Sequence, residues 1–321
     1  MGLIEFDCLC AGIIVADHVC APIDHLPDAG ELVTTERLEL AIGGCAANVA
    51  VDLAKLNVQV AIAGIVGSDV FGRYVQEELE AAGVNCDFVV ESTTHQTSGT
   101  LVINVRGEDR RFIHTVGANA QFSGSEVTPE MVQACRVLYL GGYCLAENPT
   151  AENVARLFEI AREKGVTTVL DVVIPGEADY WPKLRPVLPH TDVFLPNDDE
   201  ARIITGETDP VRQAERFHEL GAETVVITCG ERGAILLSDT ALLQADADRV
   251  EFVDGTGSGD AFDAGFIYGL LNGKTEVECL RLGSALGASC VRETGATAGV
   301  LTEPELRTFV DERPLKITSL R

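Results

Sequence analysis

The residues best suited to catalysis lie in one short segment, residues 254–260, with the sequence DGTGSGD. Its alternating glycines leave no Cβ in the way of tight backbone turns. The sequence AFDAGFIYGLL follows at once and predicts a helix that begins after Gly257 and runs to Leu271. Because the first N–H groups of a helix have no partner within it, this turn predicts a backbone-built site for an anion such as phosphate.

Asp260 is unexpected beside such a site, because a carboxylate repels a bound phosphate. Proton transfer accounts for it: the carboxylate can remove a proton from a hydroxyl that attacks phosphorus. Glycine spacing alone also permits a structural turn in which the helix dipole favours Asp260. Two other phosphate-binding patterns fail. GLLNGKT at 269–275 is one residue too short for a P-loop, and Asp260 stands where a dinucleotide fingerprint needs its third glycine.

Two further segments could contribute to a site. In GGCAAN, residues 43–48, paired glycines allow a backbone to approach a ligand, and Asn48 can both donate to and accept from a polyol. PNDDE, residues 196–200, follows a short predicted strand, where open α/β sheets bind ligands. Asn197 and Glu200 share a helical face and could hold the water around Mg²⁺. Each segment is also compatible with a purely structural role, as a capped turn or an acidic helix start.

Strands that alternate with helices must position these residues, and they predict a parallel sheet covered on both faces. An unbroken apolar strand is expected over 6–15, and helices near 46–56, 71–82, 149–164, 198–205, 210–220, 277–291 and 304–310. Residues 15–41 and 97–117 break this rhythm. Their polar and apolar alternation predicts exposed antiparallel strands, including a strand over 31–40 and a hairpin that turns at residues 107–109, which together form one small projecting sheet.

The composition argues against several classes of protein. The 321 residues, 46% of them hydrophobic, suffice for one large core. With 24 Lys and Arg against 50 Asp and Glu, the net charge of −26 predicts neither a nucleic-acid nor a membrane partner. The N-terminal sequence predicts no export signal, and no apolar run is long enough to span a membrane. Ten cysteines without CxxC spacing predict reduced thiols and a cytoplasmic location.

Taken in order, the three segments resemble the PfkB carbohydrate kinase family. DGTGSGD is similar to the family's DTxGAGD motif, GGCAANVAVDLAKL to its amino-terminal signature, and residues 197–200 to its NxxE motif. GIVGSDVFG (64–72), GAN (117–119) and TCGERG (228–233) extend the resemblance over nearly the whole chain. It implies a ribokinase-like α/β/α sandwich with a mostly parallel central sheet and a small antiparallel β lid. Residues 1–14, 42–96 and 118–321 would form the large domain, and residues 15–41 and 97–117 the lid.

The same resemblance implies ATP-dependent phosphorylation of a hydroxyl on a small sugar. Asp260 would be the general base, and the backbone of Gly257, Ser258 and Gly259 the anion hole. The sugar would contact Asp17, Gly44, Asn48 and Asp254. ATP would contact Asn197, Thr228, Gly230, Gly257, Gly259 and Ser284. Asn197 and Glu200 would bind Mg²⁺, and Asp254 and Thr256 a monovalent cation such as K⁺.

The sequence departs from the family pattern in ways that bear on the acceptor. Gly255 and Ser258 replace the usual Thr and Ala but keep the loop small. Cys45 stands where ribokinases usually carry Lys, which favours fructokinase-like acceptors. Residues 140–147, LGGYCLAE, show no clear match to the acidic residue that some members place near the sugar. At Ser284 many members have an Asn that borders adenine.

Other functions remain open at this point. A nucleoside kinase of the same fold is the main alternative, and Phe112, Phe122 and Tyr143 are its candidate base pocket. A kinase for a phosphorylated sugar would need lid cations, and 106, 110 and 111 are the arginine positions available. A non-catalytic sugar-binding regulator is a further alternative, although Asp260 would serve no purpose in binding alone. A homodimer formed through the lid is compatible with exposed strand edges.

Overall fold

The computed structural model describes residues 5–108 and 110–321, which form one large sheet between helices and one small sheet. Residues 1–4 of the predicted large domain and residue 109 of the predicted lid hairpin lie outside the described residues. The strands are β1 (Cys8–Gly12), β2 (Val15–Cys20), β3 (Leu38–Gly43), β4 (Val60–Gly67), β5 (Asn85–Ser92), β6 (Gly99–Ile103), β7 (Arg111–Thr115), β8 (Val137–Tyr143), β9 (Thr167–Val172), β10 (Val193–Phe194), β11 (Thr224–Thr228), β12 (Ala234–Ser238), β13 (Leu242–Ala245) and β14 (Ile317–Ser319).

Each predicted helix is present, with boundaries that differ by at most two residues. The α-helices are α1 (Cys45–Lys55), α2 (Val70–Ala81), α3 (Pro129–Gln133), α4 (Ala151–Glu163), α5 (Trp181–Leu184), α6 (Asp198–Thr205), α7 (Pro210–His218), α8 (Ser258–Leu271), α9 (Glu276–Cys290) and α10 (Glu303–Glu312). The short helices α3 and α5 were not predicted. Short 3₁₀ turns lie at Gly117–Gln121, Leu188–His190 and Gly230–Arg232.

The large sheet has the strand order β14-β13-β12-β11-β10-β9-β8-β1-β4-β5. Pairing is parallel from β11 to β5 and antiparallel from β11 to β14. Strands β1 and β4 are buried along their whole length, because helices cover both faces of the sheet. Helices α1, α2, α8, α9 and α10 pack on one face, and α4 to α7 on the other. This arrangement confirms the predicted mostly parallel α/β fold.

The small sheet is also confirmed, and its strand order is β3-β2-β6-β7. Its outer pairs are antiparallel, while β2 and β6, which no hairpin joins, pair in parallel. Two details differ from expectation. The apolar run over 6–15 is not one strand, since β1 ends at Gly12 and Val15 begins β2 of the small sheet. The strand expected over 31–40 begins only at Leu38.

Candidate active site

The segment at 254–260 forms the turn that opens α8. Gly257, the residue before the helix, has a φ of 75°, and a Cβ on it would lie 2.3 Å from the carbonyl oxygen of Ala296. Only glycine fits this position without strain. No side chain of the described residues caps the helix, and a Cβ on Gly259 would face open space. Ser258 donates its N–H to the Gly255 carbonyl at 3.3 Å. The start of α8 is therefore not capped by a side chain of the described residues, and the space beside Gly259 is open.

Asp260 lies on the first turn of α8 and is half-buried. Asn48, from the first turn of α1, donates its Nδ2 hydrogen to Asp260 Oδ2 at 2.7 Å. Gly44 lets α1 begin here: its φ is 91°, and a Cβ would lie 2.5 Å from the Ile13 carbonyl oxygen. Burial raises the pKa of Asp260 above its ordinary value, although the Asn48 hydrogen bond opposes that shift. Asn48 and Asp260, which are 212 positions apart in the sequence, are thus joined by one hydrogen bond.

Asp17, on β2, contributes a second carboxylate near Asp260. Burial raises its pKa to about 6, a hydrogen bond from Thr100 lowers it, and the negative charge of Asp260 raises it further. Asp17 is 9% exposed and Asn48 is 4% exposed. Within residues 5–108 and 110–321, Oδ1 of Asp17 and Oδ1 of Asn48 have no hydrogen-bond partner. Unpaired buried acceptors are costly, so these two atoms suit a ligand that donates hydrogen bonds.

Cys45, which the sequence had singled out, and Asp171, which sequence reasoning missed, complete this cluster. The sulfur of Cys45 and one carboxylate oxygen each of Asp171 and Asp260 lie within 4.8 Å of one another. Asp171, near the end of β9, accepts a hydrogen bond from the N–H of Gly142 at 3.2 Å. It therefore supplies a carboxylate beside the segment 140–147, where the sequence offered no clear match to an acidic residue. A lone Asp inside the apolar strand TTVLDV was the available signal.

Burial, and after it the charges of neighbouring acids, shift the pKa values of this cluster upward. Burial raises the pKa of Asp171 strongly, and the negative charges of Glu200 and Asp260 raise it further. The pKa of the Cys45 thiol is also raised by burial and by both aspartates, so the sulfur is a neutral thiol. The region accepts hydrogen bonds and attracts cations.

The NxxE segment forms the start of α6. Asn197 Oδ1 accepts from the Glu200 N–H at 2.9 Å, and Glu200 Oε2 accepts from the Asn197 N–H at 3.1 Å. Burial is the main reason that the pKa of Glu200 rises to about 7, and the charge of Asp260 adds to it. The residues predicted to bind Mg²⁺ thus also cap the start of α6.

Four of the residues expected to contact ATP are placed on two groups of elements. Asn197 bridges Thr228 at the end of β11, and Gly230 follows in a 3₁₀ turn where a Cβ would face open space. Ser284 lies half-buried on α9. Among the described residues, no hydrogen bond joins Ser284 to Asn197, Thr228 or Gly230.

Asp254, unlike Asp17 and Asp260, is surrounded by hydrogen-bond donors and a positive charge. Its Oδ1 accepts from the N–H of Thr256 at 2.9 Å and from the Thr256 hydroxyl at 2.7 Å, and its Oδ2 accepts from the N–H of Gly295 at 3.0 Å. Arg110, in the loop between β6 and β7, forms an ion pair with Asp254 at 2.6 Å. Burial would raise the pKa of Asp254, but these hydrogen bonds and the charge of Arg110 lower it below its ordinary value.

Comparison with known sequences identifies the class of protein. Residues 6–303 match the family described as pfkB family carbohydrate kinase. The chain belongs to this family. It is therefore a carbohydrate kinase, an enzyme that transfers a phosphoryl group to an alcohol.

Individual relatives match this chain over almost its full length. A ribokinase of Haemophilus influenzae is 29% identical over 309 residues, which cover 94% of this chain and 97% of that protein. The structure of Arabidopsis thaliana ribokinase complexed with ribose and ATP matches with a TM-score of 0.84 and 24% identity, over 95% of this chain and 99% of that one. A putative ribokinase II of E. coli in complex with ATP and Mg²⁺ has a TM-score of 0.82 and 22% identity, over 96% and 100%.

Two further findings concern the chain as a whole. All ten cysteines are free, and all but Cys86 are buried, as expected for structural thiols. In the part of the chain that the structure describes, no helix has the length and apolar character needed to cross a membrane.

Proposed function

We propose that this protein transfers the γ-phosphoryl group of ATP to a hydroxyl of a small, unphosphorylated sugar, in the manner of ribokinases and fructokinases. One observation carries the proposal. Asp260 lies at the start of α8, held by Asn48 at 2.7 Å, beside two buried acceptor atoms, Asp17 Oδ1 and Asn48 Oδ1, that lack protein donors in the described residues. A sugar hydroxyl donates to such atoms and can surrender its proton to Asp260.

In the proposed reaction Asp260 is the general base. As the sugar oxygen attacks the γ-phosphorus, its proton passes to the Asp260 carboxylate, the bond from that phosphorus to the bridging oxygen of ADP breaks, and ADP leaves. The raised pKa of Asp260 makes its carboxylate a better proton acceptor than an ordinary aspartate. The backbone of Gly257, Ser258 and Gly259 serves as the anion hole, because negative charge on the transferring group develops where these amides lie.

The acceptor site is built from hydrogen-bond acceptors. Asp17 and Asn48 bind sugar hydroxyls, Gly44 lets the backbone approach the sugar, and Asp171 is a further candidate contact. Cys45 contributes a neutral thiol in place of the Lys of ribokinases. These features favour an uncharged polyol, since the carboxylates of Asp17 and Asp260 would repel an acceptor that carries a phosphate.

ATP and Mg²⁺ are the proposed cosubstrate and cofactor. The donors fit Mg²⁺, because Glu200 lies in a cluster of carboxylates whose mutual repulsion a divalent cation would relieve. Asn197 and Glu200 would hold the ion, which would neutralise charge on the ATP phosphates. Thr228 and Gly230 adjoin Asn197 and would contact those phosphates, while Ser284 would border adenine. The ATP and Mg²⁺ bound to the E. coli putative ribokinase II support this proposal.

The small sheet is proposed to be a lid, formed by residues 15–41 and 97–117, that closes over the acceptor and excludes water. It carries exposed apolar side chains, among them Leu38, Phe112 and Ile113, which supports a homodimer formed through the lid. A cytoplasmic location is proposed from the free, buried thiols.

A nucleoside acceptor is less well supported than a sugar. Phe122 and Tyr143 are only 2% and 1% exposed, and the space that they line has a volume of about 10 Å³. That volume holds about one water molecule and no nucleobase. Phe112 lies apart from them, exposed on β7 of the small sheet.

The first test is the variant Asp260→Asn, assayed for ATP consumption against a panel of sugars and nucleosides. We expect kcat for the best acceptor to fall by about a thousandfold, because the amide cannot take a proton, while calorimetry still detects ATP binding. Glu152→Gln is the matched control: it also neutralises an acid in the first turn of a helix, α4, but at an exposed position.

Two results would contradict the proposal. Asp260→Asn with kcat within about tenfold of the wild type would remove Asp260 as the base. A wild-type protein that consumes ATP faster with nucleosides than with any sugar would replace the proposed acceptor.

A further inference from the structure

Arg110 joins the small sheet to the turn that precedes α8. Its Nη1 lies 2.6 Å from Asp254 Oδ1 and also donates to the hydroxyl of Thr256. Its Nη2 lies close to the same turn: a Cβ built on Gly255 would be only 3.2 Å from that nitrogen. The guanidinium is largely buried, with 23% of the side chain exposed, and its carboxylate partner is 7% exposed. This is a partly desolvated ion pair, for which charge and geometry both matter.

Asp254 and Thr256 are the residues at which the family resemblance implies a monovalent cation, and their contacts in this chain do not fit one. Asp254 Oδ1 already accepts from the Thr256 N–H, the Thr256 hydroxyl and Arg110. The other oxygen accepts from the N–H of Gly295. A dissolved cation at these side chains would have to displace the guanidinium or lie beside a like charge.

Backbone carbonyls around this turn also lie within hydrogen-bond reach of donors of the protein. The thiol of Cys290 lies 3.2 Å from the Thr256 oxygen and 3.1 Å from the Ala296 oxygen. The ammonium of Lys55 donates to the carbonyl oxygens of Thr297 and Val300. The Lys55 ammonium thus binds carbonyl oxygens that would otherwise be available to a cation from solution.

We infer that the Arg110 guanidinium takes the place of a dissolved monovalent cation beside the anion hole. Its positive charge fixes Asp254 and Thr256, which begin the turn that ends in the Gly257–Gly259 backbone. Since Arg110 lies in the loop between β6 and β7 of the small sheet, the charge is in place only when that loop lies against the turn before α8. Arg110 is therefore a positioning residue, and the kinase works without K⁺. This inference rests on the proposed function of the Gly257–Gly259 backbone.

The test compares wild type, Arg110→Gln, Arg110→Lys and Arg37→Gln, with K⁺ replaced by choline at constant ionic strength. Arg37 pairs with Glu39 at an exposed position, so Arg37→Gln controls for the loss of an exposed arginine near the small sheet. We expect the wild-type and Arg37→Gln kcat to change less than about twofold between the two salts. Arg110→Gln should lose about a hundredfold in choline and regain about tenfold or more in K⁺. Arg110→Lys, which keeps the charge, should be insensitive to K⁺.

Melting temperature gives a readout that does not need an active enzyme. K⁺ should leave the wild-type melting temperature unchanged relative to choline and raise that of Arg110→Gln by about 3 °C, because an ion that binds only the folded state stabilises it. If no acceptor is phosphorylated by the wild type, the proposed function fails, and the melting temperatures still decide the inference about Arg110.

Three results would overturn the inference. The first is activation of the wild type by K⁺ of about tenfold or more, a measurement that does not depend on any variant folding. The second is an Arg110→Gln protein whose activity and melting temperature are both indifferent to K⁺, which would make the contact merely structural. The third is a loss confined to the KM for a phosphorylated sugar, which would make Arg110 an acceptor-binding residue.

Discussion

Asp254 and Asp260 stand at the two ends of one seven-residue segment, yet their environments differ in kind. Asp254 accepts hydrogen bonds from Thr256, Gly295 and Arg110, and its pKa is lowered. Asp260 is held by Asn48, lies among other carboxylates, and has a raised pKa. The carboxylate of Asp254 is held as an anion, whereas the carboxylate of Asp260 can take up a proton. Environments that push two pKa values apart are how a single fold assigns different roles to the same residue type.

The largest effect on stability within this comparison should come from Asp254→Ala. The change leaves Arg110 and the N–H of Gly295 without their shared acceptor, so we expect the free energy of unfolding to fall by about 3 kcal/mol. The kcat should fall by about a hundredfold, because the turn before α8 loses its anchor. Urea denaturation and steady-state kinetics measure the two losses.

Asp24→Ala is the control for Asp254→Ala, since Asp24 pairs with Arg106 on the exposed side of the small sheet. That change should cost less than about 1 kcal/mol. If Asp254→Ala is no more costly than Asp24→Ala, the contrast between a fixed and a proton-accepting carboxylate is wrong.

An intermediate effect is expected from Asn48→Ala, which removes the hydrogen bond to Asp260. The carboxylate loses its orientation, and kcat should fall by about ten- to a hundredfold with little change in the KM for ATP. Asn153→Ala is the matched variant, because Asn153 also lies in the first turn of a helix but bonds to the Ser123 carbonyl away from the site. Equal kinetics for the two variants would show that Asn48 does not position Asp260.

The smallest effect is a pH dependence of acceptor binding that comes from Asp17. Its raised pKa of about 6 means that the carboxylate is ionised above that pH and protonated below it. As pH falls through about 6, the sugar loses a charged acceptor, and its KM should rise about two- to tenfold. Asp17→Asn should have a raised KM that is flat across this range. A wild-type KM that is constant down to pH 5 would count against Asp17 as a sugar contact.

Much of the fold was predictable because the sequence pattern is local. The helices expected over 198–205 and after Gly257 match α6 and α8 closely, since an acidic helix start and a glycine turn are visible in the sequence itself. The strand boundary near Val15 was not predictable, because the apolar run continues while the chain crosses from one sheet to the other. Strands β12 and β13 were missed for a similar reason: their short apolar runs carry no distinctive period.

The motif residues were predictable, but their pairings were not. Asp260 and Asn48 are found from their segments, whereas the bond between them spans 212 positions. Arg110 and Asp254 are 144 positions apart and meet only because the small sheet lies against the turn before α8. Asp171 joins the cluster through the neighbouring strands β8 and β9. Such contacts are set by tertiary packing, which a single sequence does not reveal.

The central claim is that Asp260 takes the proton of the acceptor hydroxyl, and the pH dependence of phosphoryl transfer in a single turnover tests it most directly. Saturating sugar removes the contribution of Asp17 to binding. The wild-type transfer rate should fall as pH decreases through the raised pKa of Asp260, which gives the profile an acid limb. Asp254→Asn should show the same acid limb, with a lower transfer rate at every pH. The residual rate of Asp260→Asn should lack the limb. An Asp260→Asn profile with the same acid limb as the wild type would contradict the account.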